Sequence, residues 1–126
     1  MREILFRGKT VYGEWEYGVP VFSGLNNELA FMKQMHSYDH QVIPETVGQF
    51  TGLTDKNGKK IFEGDRCRVS RPCVLAYGKI TFQNGCFWFV DDGPGGMLRL
   101  CDAKMNGFEI EVIGNIHDNP ELLTEK

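Results

Sequence analysis

Short apolar runs alternating with polar residues, and broken at intervals by glycine, set the pattern of this chain. Ile4, Leu5 and Phe6 form a brief apolar run that Arg7 ends, and Gly8 and Gly13 punctuate the route to Glu14-Trp15-Glu16-Tyr17. That tetrapeptide alternates as a half-buried strand does, so the stretch up to Phe22, through Val19, predicts an N-terminal β-hairpin. After Gly24, Leu25, Leu29 and Met32 fall at helical spacing, and Asn26 or Asn27 stands where a cap would precede Glu28. One short helix is predicted there. From His36 to Pro44 the pattern turns polar and irregular and reads as a connection.

Strand signals sharpen from Thr46 onward. Gln49 to Leu53 and Lys60 to Phe62 bracket Asp55-Lys56-Asn57-Gly58, in which the glycine can take the left-handed conformation of a tight turn. Arg66 to Ser70 alternates, placing Cys67 and Val69 inward and Arg66 and Arg68 outward. Val74 to Phe82 and Cys86 to Val90 flank Gln83-Asn84-Gly85, the strongest hairpin signal in the chain. Met97 to Cys101 and Phe108 to Ile113 complete the set, the last with Phe108, Ile110 and Val112 on one face and Glu109 and Glu111 on the other. Five such strands within residues 65 to 113 suffice to curl into a small barrel or sandwich. Asn119-Pro120 predicts a closing turn, with Asn119 as cap and Pro120 at the first helical position.

Length and composition support a single domain over residues 1–126, with 1–45 an N-terminal hairpin and irregular excursion, 46–118 a barrel-like core, and 119–126 a C-terminal turn. Hydrophobic residues make up 41% and charged residues 25%, an ordinary globular balance. A chain of this size needs neither metal nor disulfide to fold. No segment resembles a signal peptide or a membrane helix. Four cysteines, Cys67, Cys73, Cys86 and Cys101, lie in apolar or alternating segments and suit reduced core residues of a cytosolic protein. The net charge of -3 opposes a generic polyanion binder. Charge is nevertheless uneven, with 7 basic and 3 acidic residues between positions 55 and 79, flanked by acidic ends.

The run Gln49-Phe50-Thr51-Gly52-Leu53-Thr54-Asp55-Lys56-Asn57-Gly58-Lys59-Lys60-Ile61-Phe62-Glu63-Gly64-Asp65 resembles the signature of the YopX family of phage and prophage proteins. The resemblance extends to Phe6-Arg7-Gly8-Lys9 and Gly13-Glu14-Trp15, to Pro44 through Gln49, and to Glu111 through Leu122, three blocks in the right order at full length. It implies a small, mostly β, phage-encoded protein of uncharacterised biochemical function, with no catalytic residues to carry across. Departures lie between Gly18 and Val42 and around Asp91 to Asn106. Turn chemistry accounts for the signature itself, because glycines at 52, 58 and 64 recur between apolar pairs and charged turns. Glu63-Gly64-Asp65 ahead of an alternating strand resembles the sharp bend into a Src-homology-three-like barrel. The fold expected is therefore mainly β, a small Src-homology-three-like barrel or sandwich with an N-terminal hairpin and one short helix.

Candidate chemistry is sparse. His36, Asp39 and His40 have metal-like spacing only if helical, and the cysteine spacings do not make a zinc knuckle. A polar loop is the preferred reading, and no metal or cofactor is expected. His117 beside Asp118 suits a terminal turn better than a general base, and Ser23, Ser37 and Ser70 sit in no nucleophile elbow. The glycine-rich Asp92-Gly93-Pro94-Gly95-Gly96 lacks the lysine and following helix of a phosphate cradle and reads as a turn loop open to recognition. The sharpest lead is the basic segment, with Arg66, Arg68, Arg71 and Lys79 as candidate macromolecule-binding residues and Tyr77, Phe87 or Trp88 as aromatics for nucleic-acid stacking. Cross-strand ion pairing with Glu109 and Glu111 is preferred to that role. The expectation is a non-enzymatic protein-binding module of the bacterial host cytoplasm, its partner a host or phage protein, with nucleic acid disfavoured and no membrane partner. Met97, Met32, Met35 and Phe31 are possible uncovered apolar residues for self-association.

Overall fold

The computed structural model describes residues 3–34 and 38–118. The chain divides into two compact units, residues 1–50 and 51–126. Both are antiparallel and mainly β, as the alternation predicts.

In the first unit, β1 (Phe6–Lys9), β2 (Trp15–Ser23), β3 (Leu29–Lys33) and β4 (His40–Val42) lie in the spatial order β4-β3-β2-β1, and the start of β5 (Gly48–Thr54) continues the order beside β1. The predicted hairpin is β1 against β2, with Phe6 opposite Gly18 and Lys9 opposite Trp15. Its turn is held by Thr10, whose Oγ1 accepts the Tyr12 and Glu14 N–H groups at 3.3 and 3.2 Å. A 3-10 turn at Pro44–Thr46 is tied to β1 by Thr46 Oγ1, which accepts the Lys9 N–H at 2.8 Å. The core of this unit is Ala30, Met32 and Val42, with Phe6 and Val47 against it.

The predicted helix over Leu25 to Met32 is absent; the segment is a turn followed by β3. Gly24 and Asn27 have positive φ, and Glu28 turns its carboxylate back to accept the Asn26 N–H at 2.9 Å, closing a loop where a helix cap was expected. Alternation then decides the rest, since Ala30 and Met32 are buried while Leu29 and Lys33 are exposed. Part of the irregular connection from His36 to Pro44 is strand β4; His36 lies outside the described residues, as do Met35, Asn119 and Pro120.

In the second unit, the end of β5 meets β6 (Lys60–Phe62) across the expected Asp55–Gly58 turn, in which Gly58 has φ of 82°. Asp55 organises that turn: Oδ1 accepts the Asn57 and Lys59 N–H groups, both at 2.9 Å, and Oδ2 accepts Val112 N–H at 3.0 Å. The five strands read from the sequence form one sheet, β7 (Asp65–Arg71), β8 (Val74–Gln83), β9 (Cys86–Asp91), β10 (Met97–Arg99) and β11 (Glu109–Asn115), in the order β10-β9-β8-β7-β11. Because β10 and β11 are its two outer strands, the arrangement is barrel- or sandwich-like without a closed ring of strands. Asn84 and Gly85, both at positive φ, join β8 to β9 in the two-residue hairpin expected.

The short helix, α1 (Leu100–Met105), occupies part of what reads as the strand Met97 to Cys101. Three residues extend as β10; then Leu100 and Ala103, one helical turn apart, are both buried and turn the chain into a helix. They join Ile61, Cys67, Val69, Ile80, Phe89 and Ile110 in the core. Only Cys67 of the four cysteines is a core residue as expected. Cys73 lies exposed in the β7–β8 turn at φ of 67°, Cys101 is exposed on α1, and Cys86 is half-buried.

Candidate interaction surface

The basic segment folds into β7 and β8, and antiparallel register decides what its side chains meet. Lys79 stands opposite Arg66 and Tyr77 opposite Arg68, while Glu111 of β11 flanks Arg68 on the other side. Arg68 Nη2 donates to Glu111 Oε1 at 2.6 Å, with Lys56 Nζ 3.9 Å from the same oxygen. This is the cross-strand ion pair the sequence favoured.

Arg66 departs from expectation. Instead of pointing outward into solvent it is buried, with 1% of its surface exposed, and donates two parallel bonds to Asp92, Nη1 to Oδ1 at 2.6 Å and Nη2 to Oδ2 at 2.5 Å. Asp92 belongs to the glycine-rich segment read as an open recognition loop. Its backbone N–H donates to Tyr77 O at 2.9 Å, and neighbouring Asp91 Oδ1 accepts the Gly93 N–H at 2.8 Å. The bidentate bond to Asp92 holds Arg66 above its ordinary value, against the opposing effect of burial.

Arg71 is exposed at the end of β7, with its guanidinium 4.4 Å from the Phe108 ring centroid and Nη1 donating to Asn106 O at 3.2 Å. Lys79 is half-buried on β8. Tyr77 and Trp88 share the face of Lys79, both half-buried, and Trp88 Nε1 is fixed to Gln83 O at 2.9 Å. Phe87 instead packs against the core cluster, so it is not a stacking aromatic of the basic face. The four candidate residues thus lie on adjacent strands, with two of their charges locally balanced by carboxylates.

A second surface lies in the first unit and escaped the sequence reading. Along β2 and β3, Tyr17, Val19, Val21 and Leu29 project to the face opposite the core and are 46%, 55%, 43% and 40% exposed. Val21 faces Phe31 across the ladder, and Val19 faces Lys33. The cause is on the inner face. A Cβ on Gly8 would come within 2.8 Å of Val42 Cγ2, and one on Gly18 within 2.2 Å of the Lys33 carbonyl oxygen. The glycines face inward to admit Met32 and Val42, leaving the larger alternating residues outside. Of the apolar residues suspected of being uncovered, Met32 is fully buried, Phe31 is half-buried and Met97 is exposed.

The remaining constellations resolve into local structure. His40 Nε2 lies 3.9 Å from Glu16, whose carboxylate also accepts from Gln34 Nε2 at 2.8 Å. The His117 and Asp118 N–H groups both donate to Asn115 Oδ1, at 2.9 and 2.7 Å, in the terminal turn expected. Among the described residues, no three His, Cys, Asp or Glu side chains are disposed to hold a metal ion, and no helix is long and apolar enough to cross a membrane.

A crystal structure of protein EF1440 from Enterococcus faecalis is similar to this chain, with a TM-score of 0.65 and 28% identity over 98% of this chain and 99% of that one. No curated protein matches it significantly. The family described by the YopX protein matches residues 20–124. That span runs from the end of β2 through β11 and includes the glycine-punctuated signature, and the chain belongs to the YopX family.

Proposed function

We propose that this chain is a phage- or prophage-encoded accessory protein that acts without catalysis, in the bacterial cytoplasm, by binding a host or phage protein through the outer face of β2 and β3. The observation that carries this reading is the contiguous exposure of Tyr17, Val19, Val21 and Leu29 on one sheet face. Single exposed apolar residues are ordinary, but a contiguous group exposed on one regular face is characteristic of a protein-binding surface. The phage setting rests on the family resemblance.

The second reading is nucleic-acid binding by Arg68, Arg71 and Lys79, with Tyr77 and Trp88 as stacking groups. It is favoured by their shared sheet and opposed by the carboxylates that already neutralise Arg66 and Arg68, since affinity for phosphate backbone depends on cations available to displace counterions. The experiment pairs two measurements. Replacing Val19 and Val21 together with Glu should abolish capture of a host or phage protein, or concentration-dependent self-association in sedimentation, with the denaturant midpoint little changed. Filter binding of the unaltered protein to single- and double-stranded DNA at low salt should show no saturation in the micromolar range. Tight DNA binding lost on replacing Arg68 and Lys79 with Ala would overturn the proposal.

A further inference from the structure

A cavity in the second unit is lined by neither the basic strand nor the exposed apolar face. It arises where a ladder is interrupted. β10 stops at Arg99, opposite Trp88, while β9 carries two more residues in that direction, Phe87 and Cys86. Leu100 and Cys101, which a longer β10 would have laid against those two, form the first turn of α1 instead. The change from strand to helix leaves a space of about 260 Å³, closed by Thr51 and Leu53 of β5.

Burial grades this wall from floor to rim. Leu100 is fully buried, and half-buried Leu53 and Phe87 pack against the same core cluster, so the floor is apolar. Arg99 and Cys101 are exposed and stand at the rim. Among the described wall residues, Arg99 alone carries a formal charge at neutral pH. Its Nε donates to Asp102 Oδ2 at 3.1 Å, one of the five N–H donors of the fork. With side-chain exposures of 48% and 39% that pair is a surface ion pair, loosely held and open to a competing carboxylate, unlike the buried pair of Arg66 and Asp92. Thr51 adds a hydroxyl whose oxygen accepts the Leu53 N–H at 3.2 Å and whose proton can be donated. An apolar floor with a few polar groups at the mouth is the usual construction of a small-molecule site.

We propose that this cavity binds a small aromatic monocarboxylate, its ring on Leu53, Phe87 and Leu100 and its carboxylate at Arg99. Size limits the ligand first. A dry apolar cavity of about 150 Å³ holds benzene, so the volume here takes one ring with its carboxylate but not a long acyl chain or a nucleotide. Charge limits it next. A rim with one guanidinium and no carboxylate of its own favours an anion over a neutral ring and disfavours an ammonium. The planar fork matches a carboxylate on its Nη side while Asp102 stays at Nε. Phe87 offers the ring an aromatic neighbour for edge or offset contact.

Benzoate is the probe, titrated into the full chain and followed by amide chemical shifts. The Leu53, Phe87 and Leu100 amides should shift and saturate, with half-saturation on the order of 1 mM. Benzamide, of the same shape without the charge, should need about tenfold more, and benzylamine should not saturate. Arg99→Met should raise the benzoate requirement about tenfold and erase its preference over benzamide, with the denaturant midpoint retained. The rim cysteine supplies a second readout. Benzoate should slow alkylation of Cys101 by iodoacetamide and leave Cys73, exposed in the β7–β8 turn, at its unliganded rate. Trypsin cuts after Arg68, Lys79, Arg99 and Lys104, so Cys73, Cys86 and Cys101 are read on separate peptides. Absence of saturable shifts, shifts centred on other residues, or equal affinity for benzoate and benzamide in the native chain would overturn the proposal, as would equal slowing at Cys73 and Cys101.

Discussion

Removing the Asp92 carboxylate tests whether the basic strand is a structural element or a binding one. Arg66 is 1% exposed and donates both its forked bonds to Asp92 in an environment that also covers the aspartate, whose side chain is 9% exposed. Breaking one partner of such a pair strands a buried charge, at a cost of about 3–5 kcal/mol. Arg66 has further interactions within the fold, which places Asp92→Ala at the lower end, about 3 kcal/mol. With a urea dependence of about 2 kcal/mol per molar, the midpoint should fall by roughly 1.5 M. Trp88 lies on β9, close to Asp92 in sequence, and its fluorescence in a Trp15→Phe background is the probe. The paired change Arg66→Met with Asp92→Leu should recover most of the loss, because an apolar pair of similar volume carries no desolvation cost. A loss under about 1 kcal/mol for Asp92→Ala would place the pair in the range of exposed ion pairs and refute the argument that Arg66 is committed to the fold.

Two further outcomes follow from the signature turn. Gly58→Val should cost about 1–3 kcal/mol, read as a shift in denaturant midpoint, because the strain is purely that of a β-branched residue at φ of 82° with no atom near the added Cβ. Burial pushes the Asp55 carboxyl up, but the N–H groups of Val112, Lys59 and Asn57 and the charge of Lys59 outweigh it and hold the group below 3.8. A folded value below the unfolded one contributes stability that is complete above the unfolded value and lost as pH falls through the folded value. Asp55→Asn should therefore be less stable than the native chain at pH 7, and the gap should narrow as pH drops below about 4; a gap constant with pH would show the carboxylate charge to be immaterial.

The second unit was legible because its local and long-range signals agree. Asn84-Gly85 fixes the β8–β9 turn at positive φ, and Ile110 with Val112 alternates against Glu109 and Glu111 as β11 does in the sheet. In the first unit the hairpin of β1 and β2 was legible too, but the segment after it was misread as a helix for a physical reason. Leu25, Leu29 and Met32 share helical spacing, yet Met32 packs on a face hollowed by Gly8 and Gly18, and neither glycine advertises itself as an inner position. Where glycine supplies the inside of a strand, hydrophobic alternation points the wrong way, and Tyr17, Val19 and Val21 face out.

The charged residues divide along the same line. Arg68 and Glu111 could be paired from sequence because both sit on alternating strands, and one register places them opposite each other. Asp92 could not be matched to Arg66, since it comes from a glycine- and proline-rich segment whose path no periodicity constrains. A run of arginines thus fixes charge but not its availability, which depends on acidic residues brought in by turns. The exposed apolar face has the reverse logic. Its residues stay available because the strand's other face is already filled by Met32 and Val42, so burying Val19 and Val21 requires a surface from outside this sheet. That requirement, rather than the basic run, is what makes protein binding the reading with the stronger physical cause.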